Sequence, residues 1–175
     1  MKNILLVDDS ALMRRVLCDI INSDKRFHVE DRAINGLDAL DLLSRKTYDA
    51  VVLDVNMPKM NGLELLRELQ KRKIQAKVMM ASTDTMEGAK TTLDALELGA
   101  IDFIHKPTNA LDCRDDDFKE RMLATLAAVA ESRNISITKA FNIEEIKDTR
   151  KVVELVSRSS TAVRGNKVVA LASST

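Results

Sequence analysis

The chain is poor in the residues that most often carry redox, metal or covalent chemistry. It has 175 residues but no tryptophan, only two cysteines, two histidines and two prolines. Cys18 and Cys113 lack the spacing of a metal-binding motif, and we expect two reduced thiols rather than a disulfide. Neither His28 nor His105 has a serine, a cysteine or a second histidine at ligand spacing. We therefore expect no catalytic or metal-binding role for cysteine or histidine.

Net charge and long apolar runs are also missing. The 27 basic residues balance the 27 acidic residues, so nothing favours binding to nucleic acid or to an anionic membrane. No apolar stretch approaches the roughly 20 residues that cross a bilayer, and the N-terminus enters a predicted strand without a signal-peptide pattern. We expect a cytoplasmic protein that neither inserts into a membrane nor binds nucleic acid.

Short apolar runs alternate with amphipathic segments from residue 3 to about residue 107. The runs are unalternating and rich in β-branched residues, which is typical of strands buried on both faces of a parallel sheet. Short connections predict right-handed crossovers with helices on both faces. We predict an α/β fold, a doubly wound five-stranded parallel sheet, with strands at about 4–7, 27–33, 50–54, 77–81 and 100–104.

The segments between the runs predict helices, the last of which follows the fifth strand. Ser10 or Asp9 is expected to cap the first helix, and Gly99 is expected to end the fourth. Apolar residues recur at helical spacing in the first, second, third and fifth helices. Examples are Leu12, Val16, Leu17 and Ile20 in the first, Leu37, Leu40 and Leu43 in the second, and Phe118, Met122, Leu126 and Val129 in the fifth.

Acidic residues and one lysine come at the ends of the apolar runs. Asp8 and Asp9 follow the first run, Asp54 ends the third, and Lys106 follows the fifth. In a parallel sheet these positions share the carboxyl edge, where ligands bind. Two carboxylates at about 4 Å repel one another by roughly 4 kcal/mol at an effective dielectric of 20. This edge therefore needs a cation.

The pattern suits transfer of a phosphoryl group to a carboxylate. Asp54 is placed to attack phosphorus and form an acyl phosphate. Asp8, Asp9 and Asp54, with a backbone carbonyl from the turn that contains Asn56, offer the hard oxygen ligands that Mg²⁺ prefers. The sequence therefore predicts phosphoryl-transfer chemistry supported by magnesium.

Two further residues complete this predicted site. Lys106 would pair with one phosphoryl oxygen, and Ser82, at the end of the fourth strand, would donate its hydroxyl to another. Any single acid at a strand end is more often a turn or capping residue. Five polar positions on the correct strand ends favour the chemical interpretation.

Five segments resemble the receiver domain of two-component signalling, namely residues 6–10, 53–58, 61–62, 80–82 and 104–107. The resemblance covers residues 2 to about 130 and implies a flavodoxin-like strand order, 2-1-3-4-5. It implies that a histidine kinase phosphorylates Asp54, that Mg²⁺ is the cofactor, and that Asp8 binds the metal through water. Ser82 and Phe103 take the places of the residues that switch conformation on phosphorylation.

A narrower resemblance, to chemotaxis protein-glutamate methylesterases, rests on residues 9–15, 87–103 and 167–175. That family joins a receiver to an esterase domain whose substrates are methylated chemoreceptors. It implies a receiver at 1–130, a helical or irregular interdomain linker at 131–166, and the first strand of an esterase domain at 167–175. Ser174 matches the esterase nucleophile. We expect a regulatory fragment that lacks the catalytic histidine and aspartate and has no esterase activity.

Two alternatives remain open. A receiver can control another output, such as transcription, although the apolar run at 168–171 argues against this. An aspartate-nucleophile phosphatase of the haloacid dehalogenase kind would place a second aspartate two residues after the nucleophile, where this chain has Asn56.

Overall fold

The computed structural model describes residues 1–83 and 88–132. Within these ranges five strands alternate with five α-helices, and a short 3-10 turn, Asp112–Arg114, precedes the last helix. The predicted linker from residue 133 onward, the predicted strand at 167–175 and Ser174 lie outside the described residues. The strands are β1 (Lys2–Val7), β2 (Phe27–Ala33), β3 (Ala50–Asp54), β4 (Val78–Ser82) and β5 (Asp102–His105). The helices are α1 (Ala11–Asn22), α2 (Gly36–Arg45), α3 (Gly62–Arg72), α4 (Gly88–Glu97) and α5 (Asp116–Glu131).

The five strands form one sheet in the order β2-β1-β3-β4-β5, and every neighbouring pair is parallel. Both the predicted fold class and the predicted strand order are confirmed. Alternate residues of a strand point to opposite faces, and β1 illustrates the consequence. Ile4 and Leu6 belong to the core shared with α1 and α5, whereas Leu5 and Val7 belong to the core shared with α2 and α3. The apolar runs are continuous because each strand is buried on both faces.

The predicted strand boundaries hold within two residues; β1 begins two residues before its predicted start and β5 begins two residues after its predicted start. This strand begins at Asp102 rather than at Ala100. Gly99 has φ +96°, a conformation that other residues rarely adopt, and it ends the helical segment. The N–H of Ala100 still donates to the carbonyl of Ala95 at 2.9 Å. The residues after Gly99 therefore complete the helix end before the chain joins the sheet.

Two leucines expected on the apolar faces of their helices are exposed. Leu12 in α1 is 58% exposed and Leu37 in α2 is 47% exposed. The core side of α1 instead includes Met13, one position further along the chain, so helical spacing alone does not identify the buried residue at this position. Leucine in the first turn of a helix matches the helical period without lying over the sheet.

Cys18 and Cys113 are both buried as free thiols. No helix within residues 1–83 and 88–132 has both the length and the apolar character that a transmembrane span requires.

Candidate functional site

Four buried polar side chains lie at the carboxyl edge of the sheet. Asp8 follows β1, Asp54 ends β3, Ser82 ends β4 and Lys106 follows β5, and these four strands are successive neighbours. The side chains are 1%, 8%, 1% and 2% exposed, respectively. Together with Asn35, the N-cap of α2, they are the buried polar residues of the described ranges. Burying polar groups is unfavourable unless they are paired, so four at one edge indicate a functional site.

Lys106 connects two of the predicted acids. Its Nζ lies 2.7 Å from Oδ2 of Asp8 and 3.1 Å from Oδ1 of Asp54. One ammonium therefore faces two carboxylates, and the pairs leave a net negative charge in a region shielded from water. Buried charges are tolerated only with close partners, so the incomplete neutralisation distinguishes this cluster from an ordinary structural ion pair.

This environment changes the pKa of the Asp54 carboxyl group. Burial raises the pKa of Asp54, the Lys106 ammonium opposes this change, and the neighbouring Asp8 carboxylate raises the pKa further. A raised pKa means that the ionised form is less stable here than in water. An additional cation or an electrophile at this carboxylate would offset that instability.

The loop after β1 holds Asp8 by its backbone and by both carboxylate oxygens. The N–H of Asp8 donates to the carbonyl of Ala33 at 3.2 Å. Oδ1 accepts the Ser10 N–H at 2.9 Å, while Oδ2 accepts Lys106. Ser10, which is the observed N-cap, also accepts the N–H of Met13. Asp8 thus serves both as a turn residue and as part of the acidic cluster.

Asp9 extends the acidic cluster towards solvent. Asp8, Asp9 and Asp54 each present a carboxylate oxygen, and these three atoms all lie within 4.8 Å of one another. Asp9 is exposed, whereas the other two are buried. Three hard oxygen donors with one lysine among them fit a divalent cation such as Mg²⁺, which is bound by few carboxylates and keeps several waters.

The loop between β3 and α3 holds the backbone near Asp54 in place. The Gly62 N–H donates to the carbonyl of Val55 at 2.9 Å. A Cβ at Gly62 would collide with the backbone oxygen of Asp54, so glycine is required for close approach rather than for an unusual φ. Asn61 and Glu64 form a capping box at the start of α3, which secures the end of this loop.

The same loop contains Asn56 and a tight turn. Asn56 is exposed two residues after Asp54. Further along, Lys59 has φ +67°, and the Met60 N–H donates to the Pro58 carbonyl at 2.8 Å. Met60 then accepts the N–H of Gly36 at 2.9 Å. This loop, which is predicted to supply the metal-binding carbonyl, is therefore attached to the start of α2.

The two predicted switch residues lie on neighbouring strands. Ser82 is one residue beyond Ala81, which pairs with Asp54 across β3 and β4. The Ser82 carbonyl accepts the Lys106 N–H at 2.7 Å. Phe103 pairs with Met80 across β4 and β5 and is partly buried against the core on the α2 and α3 side. Ser82 therefore lies at the acidic edge of the sheet, whereas Phe103 lies within the sheet, further from that edge.

One residue near the acidic cluster is missing from the sequence-based site. Nη1 of Arg14 donates to the backbone oxygen of Asp8 at 2.7 Å. Helical side chains lean towards the N-terminus of their helix. An arginine one turn after the predicted cap Ser10 therefore reaches back over the preceding loop. The contact between Arg14 and this loop could have been predicted from sequence by this geometric rule.

The part of the sequence that forms this sheet and site matches a known protein family. Residues 4–115 match the family described as response regulator receiver domain. These residues are more than half of the chain, and the chain belongs to this family. Its flavodoxin-like architecture is that of a receiver domain.

Within this family, the chain is similar to the receiver domains of chemotaxis protein-glutamate methylesterases. A protein-glutamate methylesterase/protein-glutamine glutaminase of Pyrococcus horikoshii is 44% identical over 128 residues, which are 73% of this chain and 34% of the relative. The response regulator domain of Thermotoga maritima CheB has 35% identity and a TM-score of 0.67, with 76% of this chain and 98% of that chain covered. This chain spans about a third of the length of such curated relatives.

A further similar chain comes from the crystal structure of a complex between two proteins. A chain in the crystal structure of the P1 domain of CheA3 in complex with CheY6 from R. sphaeroides is 32% identical to this chain. Its TM-score is 0.60, and the alignment covers 75% of this chain and 98% of that chain.

Proposed function

We propose that this chain is the phosphoacceptor module of a two-component chemotaxis system and that a histidine kinase transfers a phosphoryl group to Asp54. The observation that carries the proposal is the buried, incompletely neutralised carboxylate of Asp54 beside Lys106. It is supported by membership in the receiver family and by similarity to a structure that contains the P1 domain of CheA3. The proposal places the reaction in the cytoplasm.

The chemical step is a substitution at phosphorus. A carboxylate oxygen of Asp54 forms the new bond to phosphorus, the bond from phosphorus to the imidazole nitrogen of phosphohistidine breaks, and that nitrogen keeps the electron pair. Lys106, now shared by two carboxylates, is positioned to pair with a phosphoryl oxygen. Ser82 would donate its hydroxyl to a second oxygen. In this class of reaction, positioning and charge neutralisation supply most of the catalysis.

The metal would be held at the acidic cluster. Asp9, Asp54 and the backbone carbonyl of Asn56 would bind Mg²⁺ directly. Asp8, whose carboxylate oxygens accept the Ser10 N–H and the Lys106 ammonium, would bind through water, as the resemblance to receiver domains implies. When bound, Mg²⁺ supplies positive charge to the phosphoryl oxygens during transfer. Asp9→Ala should therefore weaken Mg²⁺ binding more than Asp8→Ala does.

The phosphoryl group would act by shifting a conformational equilibrium. Moving a two-state domain from almost entirely inactive to almost entirely active requires about 5.5 kcal/mol of differential interaction. Contacts from Ser82 and Lys106 to the new anion would contribute part of this free energy, and Phe103 would carry the change towards the side of the domain near α4 and α5.

The regulated partner would be a protein-glutamate methylesterase domain. This follows from the curated relatives and from the predicted strand at 167–175, where Ser174 would correspond to the esterase nucleophile. The domain would be joined to the receiver at 1–130 through the linker at 131–166, and its substrates would be methylated chemoreceptors. A tethered partner encounters the receiver at high effective concentration.

Intact mass after incubation with Mg²⁺ and acetyl phosphate tests the phosphoacceptor role. The wild-type chain should gain one phosphoryl group that hydroxylamine removes, as expected for an acyl phosphate. Asp54→Asn should gain none. Asp49→Asn, at the residue that immediately precedes β3, is the matched control that should still be labelled. Equal labelling of Asp54→Asn and wild type would refute the assignment.

A further inference from the structure

Arg14 contacts the acidic loop through its backbone rather than through a carboxylate. Nη1 donates to the backbone oxygen of Asp8 at 2.7 Å, and the side chain is partly buried. That oxygen belongs to the peptide group that joins Asp8 to Asp9. The guanidinium therefore restrains the orientation of the peptide from which the Asp9 side chain projects.

Asp8 and Asp9 depend on this restraint to different degrees. Asp8 is also held by its N–H on Ala33 and by its two carboxylate oxygens. Asp9 is exposed, and none of the hydrogen bonds or ion pairs among residues 1–83 and 88–132 involves its carboxylate. The Arg14 contact holds the peptide group on the N-terminal side of Asp9, and the Ser10 N–H holds the peptide group on its C-terminal side, so the Asp9 carboxylate is restrained through its backbone.

We propose that Arg14 is a positioning residue for the metal site, which it serves by fixing the peptide between Asp8 and Asp9 so that the Asp9 carboxylate faces a bound cation. The proposal rests on Mg²⁺ binding at the acidic cluster. Residues that orient metal ligands commonly change metal affinity by roughly tenfold or more when they are replaced. Arg14 would act on Asp9 through the backbone without touching the metal.

Because Arg14 is positively charged, its electrostatic effect and its positional effect on Mg²⁺ affinity have opposite signs. A guanidinium near the site repels a divalent cation, so removal of the charge alone would strengthen Mg²⁺ binding. Loss of the positional restraint would weaken it. The two roles therefore predict opposite changes in the dissociation constant.

The experiment is a calorimetric Mg²⁺ titration of the full chain and three variants. Arg14→Met should weaken binding by roughly tenfold, whereas Arg14→Lys, which keeps the charge and a donor, should recover most of the affinity. Arg15→Met is the matched control, because Arg15 is the next residue on α1, has a side chain 74% exposed, and pairs with Asp19 instead. It should leave affinity unchanged or slightly improved. Unchanged or tighter binding by Arg14→Met would overturn the proposal.

A second measurement tests the positional role of Arg14 independently of Mg²⁺ binding. The backbone order parameter of the Asp9 N–H, measured by NMR relaxation without Mg²⁺, reports the mobility of the same peptide group. It should fall in Arg14→Met but not in Arg15→Met. A wild-type chain that binds no Mg²⁺ would refute the metal site, and the order parameter would still decide the positional claim. An unchanged order parameter in Arg14→Met would overturn the proposed positional role of Arg14.

Discussion

The ammonium of Lys106 and the carboxylate of Asp8 form an ion pair of 2.7 Å, with side chains only 2% and 1% exposed. The two residues are 98 positions apart in the chain and follow β5 and β1, which do not neighbour one another in the sheet. The pair therefore crosses the carboxyl edge above β3 and β4, and the same ammonium contacts Asp54 at the end of β3. The effect of this ion pair on the stability of the fold depends on whether both partners are present.

Lys106→Met should strongly destabilise the metal-free chain. The substitution leaves the buried carboxylates of Asp8 and Asp54 without their cation, and breaking a buried pair in this way costs about 3–5 kcal/mol. Urea unfolding would measure the loss. Added Mg²⁺ should restore more stability to this variant than to wild type, because the metal replaces the missing charge.

Lys71→Met is the control for the charge change, since the Lys71 side chain is 77% exposed in a surface pair with Glu68. It should alter the free energy of unfolding by less than about 1 kcal/mol. Equal stabilities for Lys106→Met and wild type would show that the pair contributes nothing beyond what water provides.

Asp54→Asn should stabilise the metal-free chain at neutral pH. The folded-state pKa of Asp54 is raised above the ordinary value of 3.8, so folding favours its protonated form. Its contribution to stability is therefore fully present below that ordinary value and is lost as the pH rises through the folded-state pKa. Asparagine does not titrate, and Lys106 keeps Asp8 as its partner.

Urea unfolding of wild type and Asp54→Asn across a pH series would measure this effect. The advantage of the variant should be largest at neutral pH and should shrink as the pH falls. An advantage that grows towards acid pH would mean that the carboxylate is favoured by folding, contrary to the direction expected from its burial.

The sheet and the acidic edge could be predicted from sequence because both depend on local patterns. Apolar runs such as residues 50–54 mark strands buried on both faces, and the polar residue that ends a run must lie at the edge. Contacts between distant loops have no such pattern. The helical period did not reveal that Leu12 is exposed, and spacing did not reveal that Arg14 binds the backbone of Asp8. The requirement for glycine at position 62 also became apparent only from the close approach to Asp54.

Gly62→Ala should disturb both stability and phosphorylation. The new methyl group would collide with the Asp54 backbone oxygen and would lie within 3.1 Å of Val55 Cα. Backbone cannot move aside as a flexible side chain can, so we expect a loss of about 1–3 kcal/mol and slower phosphorylation by acetyl phosphate. Gly99→Ala is the contrasting variant.

At Gly99 a Cβ meets no atom closer than 3.9 Å, but the residue has φ +96°. Alanine there should cost about 1–2 kcal/mol through backbone strain alone and should leave the phosphorylation rate unchanged, because the site is remote. If both variants slow phosphorylation equally, general destabilisation rather than displacement of Asp54 is the cause.

Tyr48→Phe should reduce stability more at neutral pH than in acid. The Tyr48 hydroxyl donates to Oδ2 of Asp31 at 2.7 Å, and Lys46 pairs with the same oxygen at 2.8 Å. Lys46 first, and Tyr48 second, lower the pKa of Asp31 below its ordinary value of 3.8. The stabilisation by these partners is therefore present above that value and is lost as the pH falls through the folded-state pKa.

The Tyr48 substitution removes one hydrogen bond to a charged acceptor, for which a loss of about 1–2 kcal/mol is expected at neutral pH. Wild type and variant should converge in urea unfolding at low pH. A constant difference at every pH would mean that packing of the ring, not the hydroxyl, is responsible.

Ser82→Ala should separate phosphorylation from its conformational effect. Ser82 is 1% exposed at the end of β4, where its hydroxyl is expected to bind the phosphoryl group only after transfer to Asp54. The variant should still gain one phosphoryl group, because Asp54 and Lys106 remain in place, but amide exchange in β5 and α5 should respond to phosphorylation less than in wild type. Ser44→Ala, on α2 away from the site, is the control and should respond fully. An identical exchange response in Ser82→Ala and wild type would exclude Ser82 as the link between Asp54 and this side of the domain.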